Sequence, residues 1–425
     1  MSVPAFFRRF FGGGGAGGGM RELVQLCDAL LAESGEYAST ALAREALAKW
    51  HALDETGREE FFEVLARSYS PAVDPLKAAA AAYQAEPSNE TLVRLQQAIE
   101  TPRRELFYRL NMAPGGTAAL VEMRRVLLAK LKSKPEWRAI DYDLRRPLRA
   151  WFNRGFLRLE RIDWRTSALV LEKLIEYEAV HAVQGWRDLR RRLEADRRCY
   201  AFFHPQLPDE PIIFIEVALT RGISTHVQPL LDVHAPVADP AGADCAMFYS
   251  ITNCQDGLRG ISFGNQLIKQ VAEDLKREFP HLRRFATLSP IPGFRAWLTQ
   301  SAGHEVLACI EDPAWHAGEV PESLSHQLMA YCAYYLLQAR RGGEPLDPVA
   351  RFHLGNGAAL EQLNWLGDTS ESGMARSAGI MANYVYRLGE LERNHERYFS
   401  EHAIAASSAL ERLARECPLQ GQAAA

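Results

Sequence analysis

The stretch from Tyr249 to Trp297 constrains the fold of this chain more than any other part of its sequence. Its pattern predicts a strand at 244–252, a glycine-containing turn, an amphipathic helix at 264–279, and a short strand that ends beside Ser289. Backbone N–H groups in such a turn can hold a phosphate group, and the second strand can present a hydroxyl to the same ligand. One supersecondary unit is therefore predicted to carry both a phosphate-binding turn and a reactive position.

Residues 21–150 predict helices joined by short polar turns. The two-residue alternation of strands is essentially absent, and helical periodicity runs through segments such as 60–69 and 115–132. Thr101 followed by Pro102 predicts a further helix start, because proline is tolerated in the first turn of a helix. We expect this part of the chain to form an all-helical domain.

The pattern changes after about residue 150. Segments 198–204 and 211–220 have strand character, and the prolines within 205–211 predict a loop that joins them into a hairpin. Helical character returns at 323–340 and in the region beyond Asn383. We therefore predict the α+β class, with a mixed sheet flanked by helices behind the helical part.

The chain has 425 residues, which exceeds the usual size of a single domain. We expect a flexible glycine-rich tail at 1–20, a helical domain at 21–150, and a mixed-sheet domain at 151–425. The first 20 residues contain arginines and phenylalanines but lack the apolar core of a secretory signal. A short organellar presequence is the alternative to a tail.

Charge and cysteine usage exclude several classes of function. The net charge is −4 and no block of like charge dominates, so nucleic acid is not expected as the principal partner. The seven cysteines form no CxxC pair, which predicts reduced thiols and a cytoplasmic location. The twelve histidines show no HxxxH spacing, so no metal site is expected, and no apolar run reaches the ~18 residues of a membrane helix.

The turn at 255–264 contains three glycines, which allow close backbone approach and positive φ angles. Phosphate binding and simple tight packing of the loop both explain them. The pattern Arg259-x-x-Ser262-x-Gly264 resembles the pyrophosphate signature of the GNAT acyl-CoA-binding fold, Gln/Arg-x-x-Gly-x-Gly/Ala. Serine replaces the first glycine of that signature here.

A longer resemblance is carried by several motifs in order. FYSITNCQDGLRGISFGNQLIKQ, EFPHLRRFATLSPIPGF, FHLGNGAALEQLNW and IMANYVY resemble the malonyl-CoA decarboxylase family, with strong motifs over 151–387. The resemblance implies a GNAT-like catalytic domain behind a helical domain that often mediates oligomerisation. It implies a carboxy-lyase that converts malonyl-CoA to acetyl-CoA and carbon dioxide with no metal or prosthetic group. The implied CoA-binding residues are Arg259, Gly260, Ile261, Ser262, Phe263, Gly264 and Asn265.

The family's serine and histidine fall on Ser289 and His353. From the residues alone, Ser289 is better explained as a turn serine before Pro290, and His353 as a buried structural histidine. With the resemblance, we expect His353, titrating near neutrality, to protonate C2 after loss of carbon dioxide. Ser289 is expected to position the malonyl group or to stabilise the enolate.

Other polar residues leave alternatives open. Glu216 interrupts a predicted strand, where it serves either as a cleft carboxylate or as a member of an ion pair or solvated face. Asn356, Asn383 and Tyr384 lie in family-like motifs and are expected near the pocket, without assigned roles. Lys269 is either a ligand of a CoA phosphate or a surface residue.

Three competing functions remain at this point. An acyltransferase would need a general base, for which Glu216 is the obvious strand carboxylate. A hydrolase would use Ser289 as nucleophile, although no G-x-S-x-G elbow surrounds it. A non-catalytic acyl-CoA-binding protein would bind malonyl-CoA and leave it intact.

Overall fold

The computed structural model describes residues 17–261, 267–312 and 314–419. By contacts the described chain divides into two units, the first made of 17–157, 204–208 and 255–261, and the second made of the rest. The predicted tail at 1–20 lies mostly outside the described residues. Its last four residues are described and already belong to the first helix, where Met20 is buried.

The first unit is helical. Its α-helices among the described residues are α1 Gly17–Ala32, α2 Glu36–Ala52, α3 Glu55–Arg67, α4 Val73–Ala85, α5 Asn89–Ile99, α6 Pro102–Leu110, α7 Gly116–Lys130 and α8 Arg138–Trp151. Local capping explains several starts: the Asp54 side chain accepts from the Gly57 N–H, and Thr101 caps α6 ahead of Pro102. The predicted helical segments of this half are confirmed.

Large aromatic side chains form the centre of this unit. The rings of Trp50 and Phe62 lie 5.5 Å apart, and those of Phe62 and Trp137 lie 5.2 Å apart. All three side chains are buried, and such contacts stabilise a core beyond the area they remove from water. Helices distant in sequence are thereby held in one core.

The segment 255–261 packs against α7 within this unit. The buried Arg124 guanidinium donates to the Gly257 carbonyl at 2.7 Å and to Asp141 at 2.7 Å. A Cβ at Gly257 would lie 2.0 Å from the Val121 carbonyl oxygen, so only glycine fits there. Part of the predicted CoA-binding turn is thus positioned by a helix more than a hundred residues earlier.

The second unit contains a mixed sheet and further helices. Its strands are β1 Arg158–Ile162, β2 Arg197–His204, β3 Leu207–Thr220, β4 Cys245–Asn253, β5 Arg284–Thr287, β6 Ser289–Pro290, β7 Arg340–Arg341, β8 Glu344–Pro345, β9 Ala359–Asn364 and β10 Met381–Val385. Its helices are α9 Ala168–Tyr177, α10 Trp186–Arg192, α11 Gln228–Leu231, α12 Leu267–Glu278, α13 Phe294–Ser301, α14 His304–Cys309, α15 Glu322–Leu337, α16 Pro348–Gly355, α17 Glu371–Ser377, α18 Leu391–Glu401 and α19 Ser408–Arg415. The α+β class, with a helical N-terminal region followed by a mixed sheet, is confirmed.

Eight of the described strands form one sheet in the order β1-β2-β3-β4-β5-β10-β6, with β9 paired to β10. The pair β4–β5 is parallel. A parallel pair needs a crossover connection, and α12 belongs to the part of the chain that connects β4 to β5. The helix predicted at 264–279 is observed from Leu267, the first described residue after 261.

Two predicted boundaries are wrong, although the hairpin of β2 and β3 and the helices of the last part of the chain are present. The predicted loop at 205–211 is only a two-residue turn, because β3 begins at Leu207 and the Gln206 N–H donates to the His204 ring. The region beyond Asn383 does not return directly to helix, since β10 continues to Val385 and α18 begins at Leu391. Every residue of β10 is buried, so this strand shows no alternation of apolar and polar residues to reveal it.

Strands β4 and β5 separate where the site lies. The Leu288 N–H donates to the Phe248 carbonyl at 3.0 Å, and the next residue, Ser289, pairs with Ala382 of β10 instead. On its other side, β4 pairs with β3, and the register of that pair shifts at Tyr249. Tyr249 is an extra residue in β4 that has no partner in β3, which is a β-bulge.

Candidate active site

Ser289 and His353 lie together although 64 residues separate them in sequence, with 3.0 Å between Ser289 Oγ and His353 Nε2. Ser289 follows β5, and His353 lies on α16, whose first turn is capped by the buried side chain of Asp347. Both members of the pair are buried as well. The structure therefore brings the two predicted catalytic residues into hydrogen-bond contact.

The hydrogen bonds around this pair run in one direction. The Ser289 hydroxyl donates to Thr287 Oγ1 at 2.7 Å, so its single proton is not available to His353. His353 Nε2–H is then the donor to Ser289, and His353 Nδ1 accepts from the Tyr386 hydroxyl at 2.7 Å. This order places the imidazole proton on Nε2.

The environment of His353 keeps its ring neutral. Burial lowers the pKa of His353 to about 3, since the ring is removed from the solvent that would stabilise an imidazolium. The ring stacks on Tyr384, with centroids 4.6 Å apart and planes at 26°. The expectation of a histidine that titrates near neutrality is therefore wrong for the folded chain.

Asn383 and Tyr384 support the site from β10. The Asn383 amide donates to the Thr287 carbonyl at 2.6 Å and accepts from Asn364 at 2.7 Å, with no solvent exposure of its side chain. The Tyr384 N–H donates to Thr287 Oγ1 at 3.2 Å. Asn356, by contrast, donates its amide to the Phe352 carbonyl at the end of α16.

Sequence reasoning missed Thr287 and Tyr386. Each lies two positions from a residue that the sequence did single out, and alternate side chains of an extended segment share a face. Thr287 is two residues before Ser289, and Tyr386 is two residues after Tyr384. Neither strand shows polar alternation, so the shared face became visible only in the folded chain.

Glu216 belongs to a buried ion pair. Its carboxylate accepts from the Arg192 guanidinium at 2.8 Å, and Arg192 also donates to Asp188 at 2.9 Å. Burial raises the pKa of the Glu216 carboxyl, and the Arg192 charge opposes that shift. The ion-pair interpretation is confirmed, since the Glu216 carboxylate is engaged by the Arg192 cation.

The predicted CoA-binding turn is described only in part. Arg259 is exposed and pairs with Asp256 at 2.6 Å, and Gly260 has a φ of 76°. Ile261 is buried. The remaining members of the prediction, Ser262, Phe263, Gly264 and Asn265, lie outside the described residues.

Two further observations concern ligands and membranes. Lys269 forms an ion pair with Glu392 at 2.9 Å. Across 17–261, 267–312 and 314–419, no group of three or more His, Cys, Asp or Glu side chains is arranged to hold a metal ion. In the same ranges, no helix is long and apolar enough to cross a membrane.

A helical region followed by a mixed sheet, with a buried serine–histidine pair where two strands separate, defines a two-part α+β protein. The chain belongs to the malonyl-CoA decarboxylase family. Models of that family's N-terminal and C-terminal domains match residues 69–152 and 155–424.

Individual relatives agree with this assignment. A protein of Anser anser anser named malonyl-CoA decarboxylase, mitochondrial, is 39% identical over 344 residues, which are 72% of this chain and 68% of that protein. The crystal structure of malonyl-CoA decarboxylase from Rhodopseudomonas palustris is 47% identical with a TM-score of 0.88, covering 92% of this chain and 99% of that chain. The corresponding structure from Agrobacterium vitis is 43% identical with a TM-score of 0.85 and the same coverage.

Proposed function

We propose that this chain decarboxylates malonyl-CoA to acetyl-CoA and carbon dioxide, with Ser289 and His353 as its catalytic residues. The observation that carries the proposal is the buried contact between Ser289 Oγ and His353 Nε2, at 3.0 Å, in a chain of this family. The pair lies where β5 leaves β4, which is where a thioester can enter between the strands.

The reaction follows from the direction of the hydrogen bonds. The bond between C2 and the malonyl carboxylate breaks, carbon dioxide leaves, and the electron pair passes into the thioester as an enolate. Ser289 positions the malonyl group, because its one hydroxyl proton is donated to Thr287 and is not directed at the enolate oxygen. The Nε2–H bond of His353 then breaks as the new C2–H bond forms, which gives acetyl-CoA.

Tyr386 supplies the second half of this proton transfer. A neutral imidazole that lost its Nε2 proton without compensation would become an imidazolate, which is a very unfavourable species. The Tyr386 hydroxyl, 2.7 Å from Nδ1, can pass its proton to that nitrogen at the same time. This leaves Tyr386 as a tyrosinate. A proton from water then binds Nε2 while Nδ1 returns its proton to the Tyr386 oxygen, and the hydroxide that remains balances the proton placed on C2.

The CoA moiety is assigned to residues 259–265. The exposed Arg259 guanidinium and the positive φ of Gly260 support a phosphate contact there. The thioester itself accepts the electrons of decarboxylation, so the proposed reaction requires no metal and no prosthetic group.

Specific observations weigh against the alternatives. An acyltransferase base at Glu216 would have to leave its buried contact with Arg192. A hydrolase would need the Ser289 proton directed at His353, whereas Ser289 donates to Thr287. A protein that only binds malonyl-CoA would not need the buried series of hydrogen bonds that links Tyr386, His353 and Ser289.

Incubation of the full chain with malonyl-CoA, without any acceptor, tests the proposal. Acetyl-CoA and carbon dioxide should appear in equal amounts. Free CoA would indicate a hydrolase, product only after an amine is added would indicate a transferase, and unchanged malonyl-CoA would indicate a binding protein.

Variants then test the two residues. Ser289→Ala and His353→Gln should each slow carbon dioxide release by roughly 10²–10⁴-fold, the usual contribution of a proton-transfer group. His326→Gln is the matched control, because His326 is exposed and pairs only weakly with Glu416 at the surface. Near-normal turnover in either site variant would refute the assignment of that residue.

Two finer properties belong to the same proposal. We infer a homo-oligomer formed through the helical unit, since α4 and α5, both fully described, contain no buried residue. Their exposed apolar side chains include Val73, Val93 and Ile99, which a second copy can cover. Light scattering over a range of concentrations would test this.

A cytoplasmic location is supported by the unpaired cysteines in the described chain, although the goose relative is named mitochondrial.

A further inference from the structure

Thr287 is the second hydrogen-bond partner of the catalytic serine. Its Oγ1 accepts from the Ser289 hydroxyl at 2.7 Å and from the Tyr384 N–H at 3.2 Å. Both lone pairs of this oxygen are therefore directed at donors. The reaction proposed above does not use Thr287 as a contact of the substrate.

Thr287 is held firmly in this place. It is the last residue of β5, opposite Phe248 of β4, and its side chain is buried. Its carbonyl accepts from the Asn383 amide at 2.6 Å, and that amide is itself fixed by Asn364. A β-branched side chain in such a strand has little rotamer freedom, so the oxygen stays directed at Ser289.

The acceptor at Thr287 decides where the Ser289 proton points. With that acceptor present, Ser289 turns a lone pair toward His353, and Nε2 of His353 carries the imidazole proton. Without it, the nearest acceptor for the Ser289 proton is Nε2 itself, 3.0 Å away. The imidazole proton would then move to Nδ1 and point at the Tyr386 hydroxyl.

We infer that Thr287 is a positioning residue that holds the Ser289–His353 pair in its proton-donating arrangement and prevents the arrangement of a serine nucleophile with a histidine base. This inference rests on the proposed function, in which Nε2–H is delivered to C2. It explains why a serine–histidine pair can serve protonation rather than acyl-enzyme formation.

The test uses Thr287→Val, which replaces the hydroxyl by a methyl group of similar shape, and Thr287→Ser, which keeps the hydroxyl. Nitrogen-15 NMR of the histidine-labelled full chain reports which ring nitrogen carries the proton, with the His353 signals assigned by their loss in His353→Gln. The wild type and Thr287→Ser should show the proton on Nε2. Thr287→Val should show it on Nδ1.

Activity provides the second readout. Thr287→Val should lower kcat for malonyl-CoA by about tenfold or more, since a hydrogen bond that selects the tautomer is worth about that factor. KM should change little, and Thr287→Ser should recover most of the rate. A full rate in Thr287→Val would overturn the inference.

Other outcomes separate this inference from the proposed function. A lower melting temperature of Thr287→Val with the proton still on Nε2 would show a structural role only, and would overturn the inference. A wild-type proton on Nδ1 would overturn it as well, whatever the activity. A wild type with the Nε2 proton but no carbon dioxide release would refute the proposed function alone.

Discussion

Acidification is expected to destabilise the folded chain through His353 while leaving its ring neutral. Burial sets the pKa of His353 at about 3 in the folded chain, below the value of about 6.5 for an unfolded histidine. Between these two values the unfolded chain binds a proton at this ring and the folded chain does not. The stability that His353 contributes is therefore complete above about pH 6.5, and it is lost as the pH falls toward 3.

The size of the effect follows from the separation of the two pKa values. When only the unfolded state takes up a proton, the free energy of unfolding falls by about 1.4 kcal/mol for each pH unit below the unfolded pKa. At about pH 4.5, roughly two units below the unfolded value, the loss from this ring is about 3 kcal/mol. Two other histidines, His181 and His204, act in the same direction, because burial lowers the pKa of each.

A comparison of variants isolates the contribution of His353. Urea unfolding of the wild type and of His353→Gln, each at about pH 7 and about pH 4.5, gives the change in unfolding free energy for each chain. The wild type should lose about 3 kcal/mol more than His353→Gln, and Ser289→Ala, which keeps the ring, should follow the wild type. NMR of the His353 ring should show no titration between about pH 8 and about pH 4.5. A ring that titrates near neutrality, or an equal loss in both chains, would refute the reasoning.

Two further predictions test a packing contact in the first unit and a buried hydrogen bond in the second. Gly257→Ala would place a Cβ 2.0 Å from the Val121 carbonyl oxygen, so its melting temperature should fall clearly, whereas Gly303→Ala, with open space around it, should melt like the wild type. Equal melting of the two alanine variants would contradict the packing of 255–261 on α7. Asn383→Asp would replace the donor that faces the Thr287 carbonyl by an oxygen, and should cost about 2–4 kcal/mol in urea unfolding at neutral pH. The loss should shrink at about pH 4, where a protonated carboxyl can donate again, and an unchanged stability at neutral pH would contradict it.

Helix positions were the most predictable part of the fold. Asp54, Ser88 and Thr101 each accept a backbone hydrogen bond from a residue three positions later. The residue that indicates the start of each helix therefore lies within one helical turn of the hydrogen bond that it makes. Strands β9 and β10 were not predicted, because their burial depends on elements far away in sequence. A buried strand carries no polar alternation to reveal it.

The residues of the site were predictable only in part. Ser289 and His353 followed from the family resemblance, and the structure places them 3.0 Å apart. Thr287 and Tyr386 lie within the motifs EFPHLRRFATLSPIPGF and IMANYVY, but nothing in those motifs singled them out, and they were identified only as partners of that pair. The assignment of residues 262–265 to CoA binding stays a prediction, since they lie outside the described residues.

The amino-acid sequence by itself determined the α+β class, the helices of the first unit and the family. These depend on local hydrogen bonds, periodicity and motifs, all of which are properties of neighbouring residues. The tertiary structure alone decided the Arg192 partner of Glu216, the packing of Gly257 on α7 and the neutral, Nε2-protonated state of His353. Burial and hydrogen-bond direction depend on groups that meet only after folding, because desolvation is a property of the whole surrounding fold.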